Sequence, residues 1–185
     1  MLMTTALDNL LAQYQSAYAQ AGQPLVVEAN PDWQAPIYQQ PLQQDWVHWV
    51  PVKQTQPLLF TDLANALEQP LHDSVEAFYS HWYAADLAVT FAEHPLQLLQ
   101  NHGPEDAERL QANLAGHVLM KRRLKQPITL FIGLAEESDD LLITVDNDSG
   151  VVGLEFVGQP QHQQLAPSLQ EFIQQLSPRV VDQLI

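Results

Sequence analysis

The chain has 185 residues, with 22 Asp and Glu against 7 Lys and Arg, a formal charge of -15 and no cysteine. That balance argues against nucleic acid as the main partner, because phosphate binding needs clustered cations. The missing cysteines exclude a disulfide framework, thiolate metal sites and a cysteine nucleophile, while a hydrophobic content of 46% is enough to build one core at this length.

The spacing predicts a first helix from about Thr5 to Ala21, because Leu7, Leu10, Leu11, Tyr14 and Tyr18 form one apolar stripe. Thr5 with Asp8 reads as its cap, and Gly22 with Pro24 ends it. Six prolines from Pro24 to Pro57, interleaved with Trp33, Trp46 and Trp49, predict an ordered arm laid over the core, with a short edge strand at Trp46 to Val50. Residues 1–57 are thus expected to form a helix and arm, and 58–185 an α+β core of the same single domain.

Thr61 to Glu68 fits one or two helical turns. A firmer helix follows, with Asp73 as its cap and Val75, Phe78, Tyr79 and Trp82 on one face. The period then changes to two: Leu87, Val89 and Phe91, then Leu96 and Leu98, predict a hairpin with one wet face, turning at Glu93, His94 and Pro95. Pro104 suits the first position of the next helix, which carries Glu105, Asp106 and Glu108 in its first turn and Lys121, Arg122 and Arg123 in its last. Strand-like runs follow at Ile128 to Leu134, Leu141 to Val145 and Val151 to Val157, and a short helix at Ser168 to Leu176 closes the chain. The class is α+β, a mainly antiparallel sheet with helices packed on one side.

Motifs for chemistry are missing. The string from Asp146 to Gly150 resembles a calcium loop, but Gly150 falls where a ligand belongs and Val157 where the bidentate Glu belongs, so a hairpin turn is expected. The seven histidines are scattered without metal spacing, and there is no nucleophile elbow or phosphate loop. No metal or cofactor is expected. A carboxylate-dependent hydrolase is the weakest of the alternatives, because 22 carboxylates make some close pair inevitable.

Charge is unevenly distributed: net -12 over residues 1–108, +5 over 109–125 and -8 over 126–185. No apolar run reaches the roughly 18 residues of a spanning helix, and the N-terminus lacks the pattern of a signal peptide. The chain therefore reads as soluble, reaching a membrane only peripherally or through a partner.

The segment beginning at Asn113, NLAGHVLMKRRLKQPITLFIGLA, resembles the central motif of the Syd family, named for interaction with the SecY subunit of the bacterial secretion channel. The resemblance extends to FYSHWYAADLAVTF from Phe78, DWVHWVP from Asp45, the hairpin ending in NDSG, and LAPSLQEFIQQL near the C-terminus. It implies a fold of the SUKH superfamily and a non-enzymatic protein held peripherally at the cytoplasmic side of the inner membrane through SecY. There it would regulate or proofread the channel through a concave acidic surface that takes basic cytosolic loops. Immunity proteins of the same superfamily, which neutralise toxins, supply the alternative: capture of a basic toxin by the same face. Strand alternation and turn placement nominate Asp86, Glu93, Glu136, Glu137, Asp146 and Glu155 for that surface, with Trp46 and Trp49 as aromatic anchors.

Overall fold

In the computed structural model, residues 2–56 and 58–182 are described; the expected end of the arm at Pro57 lies outside them. Helix α1 spans Met3–Gln20, and the arm contributes strands β1 (Val26–Glu28), β2 (Tyr38–Pro41), β3 (Trp46–Trp49) and β4 (Val52–Lys53). Next come α2 (Thr61–Leu67), α3 (Asp73–Ser80), β5 (Trp82–Tyr83), β6 (Leu87–Phe91), β7 (His94–Leu98) and α4 (Pro104–Arg123). The remainder is β8 (Thr129–Ala135), β9 (Leu141–Asp146), β10 (Val152–Phe156), β11 (Gln163–Ala166), α5 (Leu169–Gln174) and β12 (Ser177–Pro178). The α+β class is as expected.

The main sheet is antiparallel and seven-stranded, in the order β11-β10-β9-β8-β7-β6-β12. Its hydrophobic residues, such as Leu87, Val89, Leu98, Leu130, Ile132, Ile143 and Val152, are fully buried. They join the apolar stripe of α1 and Val75, Phe78 and Tyr79 of α3 in one core, to which Leu110, Leu114 and Val118 of α4 also belong. Hydrophobic burial at about 25 cal/mol per Å² is the main force holding these layers together. Arg179 extends β12 along β6: its amide donates to Ala88 O and its guanidinium reaches Leu96 O and the Glu136 carboxylate.

Several local expectations are corrected. Helix α1 starts at Met3, two residues earlier than Thr5, with Leu2 at its cap and no side chain capping it. Asp8 instead reaches across to the end of α3, accepting from Trp82 Nε1 and meeting His81 Nε2, both at 2.7 Å, and stays half-exposed. The cap of α3 is His72, whose Nδ1 accepts from the Ser74 amide, and Asp73 lies inside the helix. The β6–β7 turn is tighter than expected: Ala92 and Glu93 form it, both with positive φ, and His94 and Pro95 already pair with β6. The hairpin's second face is only partly wet: Ala88 is 2% exposed and its amide donates to the Tyr14 hydroxyl of α1, while Thr90, Pro95 and Gln97 on the same face are half-buried.

The arm is more regular than its prolines suggest. Strand β3 is the centre, not the edge, of a three-stranded sheet in the order β1-β3-β2, while β4 pairs with β5 of the core. Among the described arm residues, prolines fall in the connections and in the edge strand β2, where a missing N–H is tolerated. Among the described residues no helix is long and apolar enough to cross a membrane.

Candidate functional site

Two adjoining cavities, of about 160 and 590 Å³, form an open cleft between arm and core and share Val27, Glu28, Asp86 and His102 in their walls. The arm wall is β1, the turn that follows it and Asp45. The core wall is Asp86, His102 and the first turns of α4. Five carboxylates line the larger cavity: Glu28, Asp32, Asp45, Asp86 and Asp106. Its one cation, Arg109, is bound to Asp106 at 2.7 Å.

The walls are fixed to each other by a small polar latch. Asn30 shapes the arm turn by accepting from the Asp32 amide at 2.9 Å, and its own amide donates to the Tyr38 hydroxyl at 3.1 Å. That hydroxyl lies 2.8 Å from His102 Nδ1, and Trp33 stands edge-on to the same imidazole. Gly103 permits the approach, because a Cβ there would come within 2.7 Å of Pro36 Cδ. The His102 amide donates to Asp106 Oδ2 at 2.8 Å, tying the latch to α4. Burial holds the His102 imidazole below the ordinary range, with Arg109 acting in the same direction and Asp106 opposing.

Asp86 sits where the two cavities meet. Its Oδ1 accepts from the Gln100 amide at 2.9 Å, which presents the carboxylate to the cleft. Protein crowded around it pushes the carboxyl up to about 6; the Gln100 amide and Arg109 oppose the rise and Asp106 adds to it. The residue is nevertheless open to water on the cleft side, which limits how strongly the crowding acts.

The nominated residues do not come together as one surface. Asp86 and Trp46 line the cleft, and Trp46 stands opposite Glu28 in the arm sheet. Trp49 also lines the smaller cavity, but it is 3% exposed and packs against Tyr14, so it cannot present itself to a partner without rearrangement. Glu93 occupies the β6–β7 turn. Near it, Glu136 pairs with Arg179 and Glu137 with His94. Asp146 closes the β9–β10 turn, its Oδ1 accepting from the Asp148 and Ser149 amides.

Glu155 is the clearest correction, since it is 1% exposed and faces the interior. Lys121, fully buried at the end of α4, donates to Glu155 Oε2 at 3.1 Å, to Gln126 Oε1 and to Gln159 O, so all three ammonium protons are used. The other carboxylate oxygen takes the Thr129 hydroxyl at 2.6 Å and lies 3.3 Å from His117 Nε2. Burial alone would raise the Glu155 carboxyl, but bonds from His117, Thr129 and Lys121 and the Lys121 charge outweigh it and hold the group low. Alternation placed Glu155 correctly on the face opposite Leu154; what the sequence did not reveal is that this face is covered.

Glu28, Asp32, Asp45 and Asp106 are the cleft residues that sequence reasoning missed. The available signal was the arm itself, which carries acids at Glu28, Asp32 and Asp45 and no cation before Lys53. Among the described residues no three His, Asp or Glu are placed to hold a metal ion together. Open to solvent, rich in carboxylates and walled by Trp33 and Trp46, the cleft is chemically suited to a cationic segment of another chain.

Comparison with known proteins identifies the family. The model of the Syd protein family (SUKH-2) matches residues 4–178. The chain is 48% identical to Protein Syd of Idiomarina loihiensis over 149 residues, covering 80% of this chain and 81% of that one. It is 37% identical to Protein Syd of Pseudoalteromonas atlantica, with 96% of each chain covered, and 39% identical to that of Alteromonas mediterranea, covering 95% of this chain and 98% of the other. A family match over nearly the whole chain and relatives up to 48% identical lead to one conclusion: this protein belongs to the Syd family (SUKH-2).

Proposed function

We propose that this chain is a binding protein for the SecY subunit of the secretion channel, taking a basic cytosolic segment of SecY into the cleft between arm and core. It regulates or proofreads the channel from the cytoplasmic face of the inner membrane. The observation that carries this reading is the cleft's charge: five carboxylates and one arginine, the arginine already bound to Asp106. Cytoplasmic loops of membrane proteins are enriched in Lys and Arg, so they offer the complementary charge. The carboxylates speed and orient encounter, and aromatic walls at Trp33 and Trp46 supply contact area. An acidic surface is also repelled by anionic lipid, so attachment runs through the protein partner.

Co-sedimentation with membrane vesicles tests the reading. Retention should rise with SecY content and be lost in a wash at high salt, because charges on an open cleft are screened over about 8 Å at physiological ionic strength. Retention that ignores SecY, or that survives the salt wash undiminished, would contradict it.

A further inference from the structure

The arm wall of the cleft is a sheet edge with unused hydrogen-bonding groups. In the order β1-β3-β2, strand β1 has a single neighbour. The Trp49 amide donates to Leu25 O at 3.0 Å and the Ala29 amide donates to Asp45 O at 2.8 Å. Antiparallel pairing alternates between bonded and non-bonded pairs, so Leu25, Val27 and Ala29 direct their main-chain groups at β3. Val26 and Glu28 therefore direct their N–H and C=O groups the other way. Both residues line the cleft, and no described residue bonds these outward groups.

Val26 is 4% exposed, so this part of the edge opens to a partner only with a shift of the cavity wall, while a buried N–H or C=O without a partner is costly and favours such pairing. Exposed edges are usually blunted by a covering element or kept from pairing. Here the facing wall is Asp86, Gln97 and His102, and the space between holds a cavity instead of a strand. Edge and charge specify the same occupant. Extended chain supplies the missing main-chain partners at the normal interstrand spacing of about 4.8 Å. Its alternate side chains then face the carboxylates of Glu28 and Asp86, which selects Lys and Arg at every second position.

We propose that a basic segment of the partner binds in extended form, adding to the free edge of β1 as a fourth strand of the arm sheet. This rests on the reading of the cleft as the site for a basic segment, and it adds the conformation, direction of contact and side-chain pattern of that segment. Strand addition of this kind draws affinity from main-chain bonds and selectivity from alternate side chains.

The test uses the full chain and a synthetic eight-residue peptide alternating Arg and Ser, titrated at low salt. Two versions of the peptide carry N-methyl groups on alternate amides, one set on each edge of the peptide strand, with charge unchanged. Methylation on the edge that meets β1 should weaken binding about 10-fold or more, since several main-chain bonds are lost together, and methylation on the other edge should change it less than about 2-fold. On the protein, exchange of the Val26 and Glu28 amides should slow on binding while that of Val27 stays as before. Glu28→Pro, which removes one outward N–H at an edge that tolerates proline, should bind several-fold more weakly than Glu28→Gln. If both methylated peptides bind like the parent, strand addition is overturned and the acidic cleft stands as a binding site. If the unmethylated peptide does not bind at all, both are overturned.

Discussion

Two acidic regions of this molecule use charge in opposite ways. In the interior, Glu155 is held by Lys121, Thr129 and His117, and all three ammonium protons of Lys121 are engaged. In the cleft, Glu28, Asp32, Asp45 and Asp86 gather with no cation of their own chain except the one bound to Asp106. Gathering like charges in an open cleft opposes folding slightly and leaves the field for a partner. A closed ion pair contributes architecture and no recognition, because its desolvation is matched only by the partner it already has.

The sharpest way to break the comparison is to remove one side of the interior pair. Lys121→Met leaves Glu155 buried without its counter-charge and should destabilise the fold by about 3–5 kcal/mol, read as a lowered urea midpoint. Adding Glu155→Leu should recover a large part of that loss; failure to recover would mean that packing, not charge, dominates there. Cleft substitutions should do the reverse. Asp86→Asn with Glu28→Gln should cut affinity for the alternating Arg–Ser peptide about 10-fold, since removing charges from a complementary face slows encounter and weakens contact, while the stability read by urea unfolding does not fall by more than about 0.5 kcal/mol. Gly103→Ala drives a methyl against Pro36 and should cost about 1–3 kcal/mol by overpacking, with a smaller loss of peptide affinity as the arm wall shifts.

The pH responses should also differ in sign. Asp86, pushed up to about 6, keeps a proton in the native state over the range from about 4 to 6 where the unfolded chain has lost it. It therefore contributes stability below that range that is lost as pH rises through about 6, and Asp86→Asn should flatten this part of the stability profile. Its charge is complete only above 6, so peptide affinity should rise from pH 5 to pH 7 in the native chain and rise less in Asp86→Asn. Glu155 runs the other way: its carboxyl is held low, so its contribution is present above the ordinary glutamate range and is lost as pH falls through its depressed value. The smallest effect is expected for Tyr38→Phe, which removes the hydroxyl between Asn30 and His102 and should cost about 1 kcal/mol.

Much of the fold is legible along the chain because its helices and central strands carry single periods. The α1 stripe from Leu7 to Tyr18, Pro104 at the start of α4 and the Ser168 cap of α5 all lie where spacing and end chemistry place them. Of the arm strands only β3 is visible along the chain, and as an edge; β1 and β2 escape notice because each is only three or four residues long, and their partners are joined by turns in which proline dominates the local signal. The cleft was half legible. Asp86 precedes a strand and Trp46 begins one, so both are visible by pattern, but Glu28, Asp32 and Asp45 matter only because the latch at Tyr38 and His102 folds the arm back across the core. Glu155 shows the limit of alternation: it specifies a face, and what covers that face is a tertiary fact supplied by Lys121, 34 residues earlier.

The most direct test is the affinity of purified SecY for the native chain and for Asp86→Asn/Glu28→Gln/Asp45→Asn, measured across a salt series. The account predicts tight, salt-weakened binding by the native chain, and both lower affinity and a shallower salt dependence for the triple variant with its fold intact. Equal affinity and equal salt slope for the two would contradict the assignment of the cleft as the SecY site.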